Sequence, residues 1–308
     1  MYVAAGSSAA ALDARADPGS TSILDSDGNA RKSSATAGLR LGPTLELPIW
    51  VEARPPTSSI RSNAASARRC GTTMYTRRWF FDELAHAGRE HLDPHYVAAY
   101  DGKAGTDVVE EVALLRDLGL NERSMLVDLG AGTGTLALAA APHCRRVVAV
   151  DVSRAMLDML STKAVRLGIA NVDCVQAGFL SYEHRGEMAD YVYSRNALHH
   201  LPDFWKALAL ERVAGILKSD GILRLRDLAF ACDQDEVDRV IENWLASAAE
   251  RPDKGWTRAE LEAHLREEYS TFSWLLEPML ERSGFEIRQT SYGTASVYAA
   301  YICAKRRS

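Results

Sequence analysis

The chain has 308 residues, of which 47% are hydrophobic and 25% are charged, as is typical of a globular protein with one large α/β domain or two small domains. Its formal net charge of −5 disfavours a nucleic-acid substrate, and no apolar run approaches the ~20 residues that insertion of a membrane helix needs. The five cysteines are odd in number and form no CxxC pair, which argues against a disulfide framework or a metal site and favours the cytoplasm.

The first 73 residues differ in composition from the rest of the chain. They are rich in Ala, Ser, Gly and Arg and show no sustained period of 3.6 or 2. Such a segment cannot bury enough apolar surface to offset the entropy lost on ordering. We therefore expect residues 1–73 to be a disordered tail or to precede the true start at Met74, with the folded domain over residues 74–308.

From Ser124 onward, short apolar runs alternate with helical patterns. Five of these runs predict buried parallel strands: Met125–Leu129, Arg146–Val150, Val172–Gln176, Asp190–Ser194 and Ile222–Arg226. Strands separated by helices of this length imply right-handed crossovers and a parallel sheet. The last two runs, Glu286–Thr290 and Val297–Cys303, are joined by too few residues for a helix, so they predict an antiparallel hairpin.

A helical insertion is predicted between the fifth strand and this hairpin, over about residues 233–283. Thr257 and Glu260 have the spacing of a capping box at the start of one helix, and a second helix carrying Trp274 ends before Gly284. Ligands of open α/β sheets bind beyond the carboxyl ends of the strands, and the insertion leaves from such an end. We therefore expect it to act as a lid.

The segment Val127-Asp128-Leu129-Gly130-Ala131-Gly132-Thr133-Gly134 follows directly from the first strand. Its glycines suit a turn with positive φ, a close approach of backbone to ligand, and close packing of the next helix on the sheet. A dinucleotide-binding G-x-G-x-x-G motif would require glycine at position 135, where this chain has Thr135. The buried-strand acid Asp128 would repel a pyrophosphate and attract a cationic amino-acid group.

Asp151 ends the second predicted strand. A carboxylate at that strand end can accept hydrogen bonds from both hydroxyls of a ribose. The alternative is that Asp151 only caps the helix that begins near Arg154.

These elements, with the run Asn196–Asp203 and the run Leu217–Gly221, resemble class I S-adenosylmethionine-dependent methyltransferases, closest to the bacterial small-molecule type. The resemblance covers about residues 96–305 and implies a Rossmann-like α/β fold whose seven-stranded sheet has the order 3-2-1-4-5-7-6, with helices on both faces. It also implies S-adenosylmethionine as cofactor. The implied cofactor-binding residues are Asp128, Gly130, Ala131, Gly132, Gly134, Asp151, Val152, Met156, Gly178, Phe179 and Asn196.

Within that resemblance, Asp128 and the backbone of the glycine loop face the methionine part, Asp151 the ribose, and Val152 and Met156 the adenine. The family often has an acid after the third strand that holds the adenine amino group. This chain has Ala177-Gly178-Phe179 there, so we expect backbone groups of Gly178 and Phe179 to take over.

Candidate residues for the acceptor side follow the fourth and fifth strands. His199 and His200 are candidate general bases, although packing or capping of the following helix is the alternative. Charged residues in strands that should be apolar on both faces point to a site, with internal ion pairing as the alternative. The proposed substrate-binding residues are Tyr100, Arg195, Arg226, Asp227, Tyr269 and Trp274.

The sequence therefore predicts methyl transfer from S-adenosylmethionine to the oxygen, nitrogen or carbon of a small-molecule acceptor. Two alternatives remain at this point: a methyltransferase for RNA or protein, and a non-catalytic S-adenosylmethionine-binding module. The glycine loop and Asp151 account for binding and do not by themselves require turnover.

Overall fold

The computed structural model describes residues 78–93, 97, 100, 108–252, 254–293 and 295–307. All of them belong to one unit of the chain, Ser66–Ser308. The predicted tail at 1–73 and the start at Met74 lie outside the described residues. Within the described residues, no helix is both long and apolar enough to cross a membrane.

A single sheet organises the domain. Its strands are β1 (Met125–Leu129), β2 (Arg146–Asp151), β3 (Val172–Gln176), β4 (Ala189–Arg195), β5 (Leu217–Phe230), the two-residue β6 (Thr271–Phe272), β7 (Phe285–Tyr292) and β8 (Tyr298–Lys305). The strand order is β3-β2-β1-β4-β5-β8-β7, with β6 pairing alongside the end of β5. Strands β1 to β5 are parallel, and β8 is antiparallel to both β5 and β7. The predicted order and the predicted hairpin are confirmed.

Helices pack on both faces of this sheet. They are α1 (Arg89–Leu92), α2 (Val108–Asp117), α3 (Thr135–Ala140), α4 (Arg154–Leu167), α5 (Asp203–Ile216), α6 (Val237–Ala246), α7 (Arg258–Glu267) and α8 (Ser273–Arg282). Short 3₁₀ turns occupy Ala141–His143, Leu198–His200 and Gln234–Glu236.

Strand β1 shows how the sheet divides the core into two layers. All five of its residues are buried, as a central parallel strand requires. Val127 and Leu129 join a cluster with residues of α5 and α8. Leu126, which points to the opposite face, joins a cluster with residues of α2, α3 and α4.

The predicted helical insertion is present before the last two strands. It contains α6, α7 and α8, and the side chains of Thr257 and Glu260 form the predicted capping box at the start of α7. A third apolar cluster joins Trp244 of α6 and Leu261 of α7 to Leu228 at the end of β5. The insertion is therefore anchored at the carboxyl end of the parallel strands.

Aromatic side chains attach the N-terminal segment, residues 78–93, to the rest of the domain. The ring of Trp79 stacks on that of Trp205 in α5 with centroids 6.2 Å apart, and Phe80 meets Trp205 edge to face. Phe81 lies 6.1 Å from Tyr269 of the insertion. These contacts bring the segment beside the carboxyl ends of the strands.

Candidate functional site

The glycine loop after β1 has the backbone that its sequence predicts. Gly130, Gly132 and Gly134 all have positive φ, at 76°, 53° and 82°. A Cβ atom on Gly130 would lie 2.3 Å from the Cβ of Ala197, so the loop and the segment after β4 approach to contact distance. A Cβ on Gly134 would lie 2.3 Å from Cγ of Leu160. The glycine therefore allows close contact with helix α4, whereas the sequence predicted close contact between the following helix and the sheet.

The N–H groups of this loop are used inside the protein. Those of Gly130 and Ala131 donate to the carbonyl oxygen of Val150, and that of Gly134 donates to the carbonyl oxygen of Ala131. The N–H of Gly132 donates to Oδ2 of Asp151 at 2.8 Å. Phosphate-binding loops offer free N–H groups to the anion. This loop keeps these four occupied, so the local geometry opposes dinucleotide binding.

Asp151 is half-buried at the end of β2 and holds two backbone amides. Besides Gly132, its Oδ1 accepts from the N–H of Ser153 at 2.8 Å. Ser153 itself is the N-cap of α4, since its side chain accepts from the N–H of Met156. The capping alternative for Asp151 is therefore wrong. Each carboxylate oxygen can accept a second hydrogen bond, so the group can still receive two hydroxyls.

Asp128 lies in β1 beneath the loop and is 2% exposed. Burial, reinforced by the negative charge of Asp151, raises the pKa of Asp128 to about 7. A carboxyl group in this state gains a proton near neutrality unless a cation binds beside it.

Glu83 of the N-terminal segment reaches the turn after β3. Its Oε1 accepts from the N–H of Leu180 at 3.1 Å, and its Oε2 accepts from the N–H and the hydroxyl of Ser181. A Cβ on Gly178 would lie 2.3 Å from Oε1 of Glu83. Burial raises the pKa of Glu83, although these hydrogen bonds oppose the rise. The family often has an acid directly after the third strand, and this chain does not. Glu83, an acid from the N-terminal segment, occupies that region instead.

A cavity opens over the carboxyl ends of β1, β2 and β4. Its described lining is Glu83, Ala87, His91, Tyr100, Gly130, Gly132, Asp151, Val152, Met156, Ala177, Gly178, Phe179, Arg195, Asn196, Ala197, His200 and Leu201. Asp128 and Ala131 line an adjoining cavity that shares Gly130, Gly132 and Asn196 with the first. The structure thus brings the predicted cofactor residues together, except that Gly134 faces Leu160.

His199 and Asp227 form a buried pair below this cavity. His199 Nδ1 lies 2.5 Å from Oδ1 of Asp227, and His199 Nε2 lies 3.0 Å from Oε2 of Glu268. Burial alone would lower the pKa of His199, but the two carboxylates raise it to about 10. Oδ2 of Asp227 also accepts from the N–H of Leu198, at 2.7 Å. His199 is unsuited to act as a base, since it gives up its proton only well above neutrality.

His200 has the opposite character. Its Nδ1 is buried and has no hydrogen-bond partner in the described part of the chain. Burial, with the positive charge of neighbouring His199, holds the pKa of His200 well below its ordinary value. The imidazole is therefore neutral and keeps a lone pair available. Neither histidine caps α5, whose N-cap residue is Pro202 and has no side-chain cap.

The arginines of β4 and β5 differ in their partners. Arg224 forms a two-point ion pair with Glu111 of α2, with contacts of 3.0 and 2.7 Å, which is the predicted internal pairing. Arg195 and Arg226 are register partners on adjacent strands and have no ion pair within the described residues. The guanidinium of Arg226 lies 5.0 Å from the ring centre of Tyr298, and that of Arg195 borders both cavities described above.

A further cavity lies under the insertion. Its described lining is His91, Tyr100, Asn196, His199, His200, Leu228, Trp244, Trp256, Leu261, His264 and Tyr298. It shares His91, Tyr100, Asn196 and His200 with the larger cavity. Hereafter the larger one, which brings together residues that the sequence predicts to bind the cofactor, is called the cofactor cavity, and this one the inner cavity. The sequence patterns did not single out Trp244, Trp256 or His264.

Four predicted substrate residues lie outside the described linings of these cavities, namely Arg226, Asp227, Tyr269 and Trp274. Tyr269 donates its backbone N–H to the carbonyl of His199, and its ring faces Phe81. Trp274 is 45% exposed and stacks on Phe272. Neither side chain belongs to the described lining of either cavity, because Tyr269 packs toward the N-terminal segment and Trp274 toward the surface.

Comparison with known proteins adds to this picture. A family model described as a methyltransferase domain matches residues 126–221. The uncharacterized methyltransferase YcgJ of Bacillus subtilis is 34% identical over 102 residues, which are 33% of this chain and only 40% of YcgJ. An uncharacterized methyltransferase of Bacillus cereus is 28% identical over 210 residues, covering 68% of this chain and 90% of its own. The solved structure of BH2331 from Bacillus halodurans matches with a TM-score of 0.50 and 19% identity, over 66% of this chain and all of that one.

Proposed function

We propose that this chain, whose residues 126–221 match a methyltransferase domain, binds S-adenosylmethionine in the cofactor cavity and methylates a small molecule held in the inner cavity. The observation that carries the proposal is that four residues belong to the linings of both cavities. The two cavities are therefore adjacent, as a cofactor and an acceptor must be for transfer between them. S-adenosylmethionine, when bound, supplies a methyl group on a positively charged sulfur.

The residues of the cofactor cavity fit this molecule. Asp151 offers free lone pairs to the two ribose hydroxyls, and Glu83 with the Gly178 turn forms the adenine end. At the methionine end, buried Asp128 suits the ammonium group and Arg195 suits the carboxylate. The buried Oδ1 of Asn196 has no partner within the described residues, so it is a polar atom that a ligand can satisfy.

The raised pKa of Asp128 makes cofactor binding depend on pH. The ammonium group of S-adenosylhomocysteine binds the ionised carboxylate, so its affinity should increase as pH rises through about 7. The free protein should show the opposite trend: a carboxyl whose folded pKa exceeds its unfolded value loses its stabilising contribution as pH rises through the folded pKa. Calorimetry and thermal unfolding between pH 6 and pH 8 (about one unit on each side of the pKa) test both signs.

Asp128→Asn provides the control for this prediction. The variant should bind S-adenosylhomocysteine more weakly, with an affinity that changes little over the same pH range. A wild-type affinity that is flat with pH would mean that Asp128 is not the group that holds the ammonium.

The inner cavity suits a compact acceptor. Apart from its histidines and Asn196, its described lining is aromatic or aliphatic, with Trp244, Trp256 and Leu261 supplied by the insertion. Small-molecule sites are typically apolar pockets with a few placed polar groups. Residues of helices α6 and α7 line this cavity, so the insertion narrows the space beside the cofactor cavity, which favours a compact acceptor over a polymer.

Methyl transfer requires the acceptor atom to lie in line with the bond that breaks, in a site that excludes water. His200 stands in both linings, so its ring lies where cofactor and acceptor meet. When the acceptor is a hydroxyl or a protonated amine, its proton must leave as the new bond forms. The unpartnered Nδ1 of His200 is the atom that we propose accepts this proton.

Replacement of His200 tests this role. His200→Gln should lower kcat on the order of a hundredfold or more, the usual contribution of a general base. Its affinity for S-adenosylhomocysteine should remain within a few-fold of wild type, because the residues proposed to hold the charged groups of the cofactor are Asp128 and Arg195. His143→Gln, a change in the 3₁₀ turn before β2, is the matched control. Unchanged kcat in His200→Gln would remove His200 from the reaction.

Incubation with methyl-labelled S-adenosylmethionine and a cell extract tests the proposed function as a whole. We expect the label to enter the fraction that passes an ultrafiltration membrane. Label recovered in RNA or protein would overturn the small-molecule acceptor. Cofactor binding without any transfer of label to an extract from the source cells would favour a binding module over an enzyme with this acceptor class.

A further inference from the structure

Four ionisable side chains form a continuous row of contacts beneath the inner cavity. In order they are Asp227 at the end of β5, His199 after β4, Glu268 just beyond α7, and His264 within α7. Asp227 Oδ1 lies 2.5 Å from His199 Nδ1, His199 Nε2 lies 3.0 Å from Glu268 Oε2, and Glu268 Oε1 lies 2.5 Å from His264 Nδ1. Two members of this cluster, Glu268 and His264, come from the insertion.

The contact between His199 and Glu268 is the unusual one. Oε2 of Glu268 is buried and accepts no hydrogen bond of acceptable geometry within the described residues, although His199 Nε2 is only 3.0 Å away. When a nitrogen and an oxygen bind the same ion through bonds of ~2.0–2.1 Å, the two atoms lie about 3 Å apart. Their lone pairs are then directed at the ion, and no hydrogen bond forms between them. The contact therefore has the spacing of two ligands of one cation.

We propose that His199, His264 and Glu268 form a binding site for a divalent transition-metal ion of the zinc class, with Asp227 as the group that orients His199. One ligand atom from each of the three residues lies within 4.8 Å of the others. Binding would draw the His264 ring inward over a short distance.

The donor set and its surroundings support this class of metal. Two imidazoles and one carboxylate form the ligand set of several catalytic zinc sites, which leave a further coordination position open. Metal-bound histidines almost always donate their second N–H to a carboxylate or carbonyl, as His199 does toward Asp227. The absence of paired cysteines argues only against cysteine-ligated zinc, and the ligand set proposed here contains no cysteine.

The position of the site gives it a possible use by the enzyme. His199 and His264 both belong to the described lining of the inner cavity, so an open coordination position would face that space. An acceptor with an oxygen donor would then bind there directly. This consequence rests on the proposed function, whereas the metal site itself does not.

The test is binding of Zn²⁺ by the purified full chain after chelator treatment, followed by calorimetry. We expect about one equivalent per chain. The Glu268→Gln and His264→Gln variants should each weaken this binding at least about tenfold. The control His143→Gln should bind as wild type does. Co²⁺ titration adds a reading that is independent of activity, because coordination by nitrogen and oxygen ligands produces visible absorption bands in wild type that both variants should lose.

Affinity for S-adenosylhomocysteine, measured on every variant, shows whether the fold survives the substitution and separates failure of this proposal from failure of the cofactor site. The proposal is overturned if wild type binds no Zn²⁺ in titration, or if folded Glu268→Gln and His264→Gln bind it as tightly as wild type. In either case the cluster is a metal-free ion network with a protonated His199 between two carboxylates. The wild-type titration decides the matter even if both variants fail to fold.

Discussion

Replacing Gly130 with alanine should weaken cofactor binding severely. Two costs combine at this position. Its φ of 76° strains any L-residue by ~1–2 kcal/mol, and a Cβ placed 2.3 Å from that of Ala197 forces the loop away from the segment after β4, an overpacking cost of ~1–3 kcal/mol. Since ~1.4 kcal/mol corresponds to a factor of ten, the affinity for S-adenosylhomocysteine should fall on the order of a hundredfold or more.

Two further variants separate the costs. Gly168→Ala has a similar φ of 68° but no atom within 4 Å of the new Cβ, so it should lose stability by strain alone and keep its affinity. Gly130→Ala combined with Ala197→Gly removes the clash and should recover part of the binding. If the double variant binds no better than Gly130→Ala, contact with Ala197 is not what requires glycine at this position.

Asp151→Ala should weaken the binding of S-adenosylhomocysteine by a hundredfold or more. It removes two hydrogen bonds from ribose hydroxyls to a charged group, each worth ~1.5–3 kcal/mol. It also leaves the N–H groups of Gly132 and Ser153 without their acceptor, so the melting temperature of the free protein should fall. Asp151→Asn should behave similarly in weaker form, because its amide offers one oxygen where the carboxylate offers two.

Ser153→Ala is the appropriate control for Asp151. It removes the helix cap, at a typical cost of ~1 kcal/mol in stability, and should leave cofactor affinity within about threefold of wild type, a gap under ~1 kcal/mol. Calorimetric titration with S-adenosylhomocysteine, and thermal unfolding without ligand, on the same preparations distinguish the two residues. An Asp151→Ala variant that also stays within that threefold range would show that the carboxylate only organises the loop.

The fold was predictable because its signals are local. A buried parallel strand such as β1 is apolar except at Asp128, and a glycine loop followed by an acid-ended strand has few structural interpretations. The least accurate boundary is that of β5, which begins at Leu217, five residues before the predicted start. Asp220 in this stretch has a φ of 61°, and the register with β4 shifts nearby. The first residues of β5 therefore form an irregular strand, but their sequence is typical of a turn.

The cofactor site was only partly predictable for a different reason. Asp151 lies in a recognisable motif, whereas Glu83 lies in a segment with no motif and reaches the Gly178 turn through tertiary packing. No spacing rule connects residues 97 positions apart, the separation of Glu83 from Leu180. The absence of an acid after β3 was the available clue. It indicated that another group must replace the acid, but it did not identify Glu83 as that group.

The two adjacent histidines show what sequence could not decide. His199 and His200 have the same residue type and the same place after β4, yet one is buried between carboxylates that raise its pKa, whereas the other lines both cavities and has a lowered pKa. The partners that separate them, Asp227 and Glu268, come from distant elements. Their difference arises from three-dimensional surroundings alone.

The hold of Glu83 on the turn after β3 has a consequence for the timing of the catalytic cycle. The segment that carries it forms a wall of the cofactor cavity and is tied at its far end by a hydrogen bond from Ser153 to the carbonyl of His91. If S-adenosylmethionine occupies this cavity as proposed, its passage past this wall would require the hydrogen bonds of Glu83 and Ser153 to break. In many enzymes such gated release of product limits turnover. On this basis the residence time of the spent cofactor, and not the transfer step, would set the pace, and loosening the segment through Glu83→Gln would shorten it.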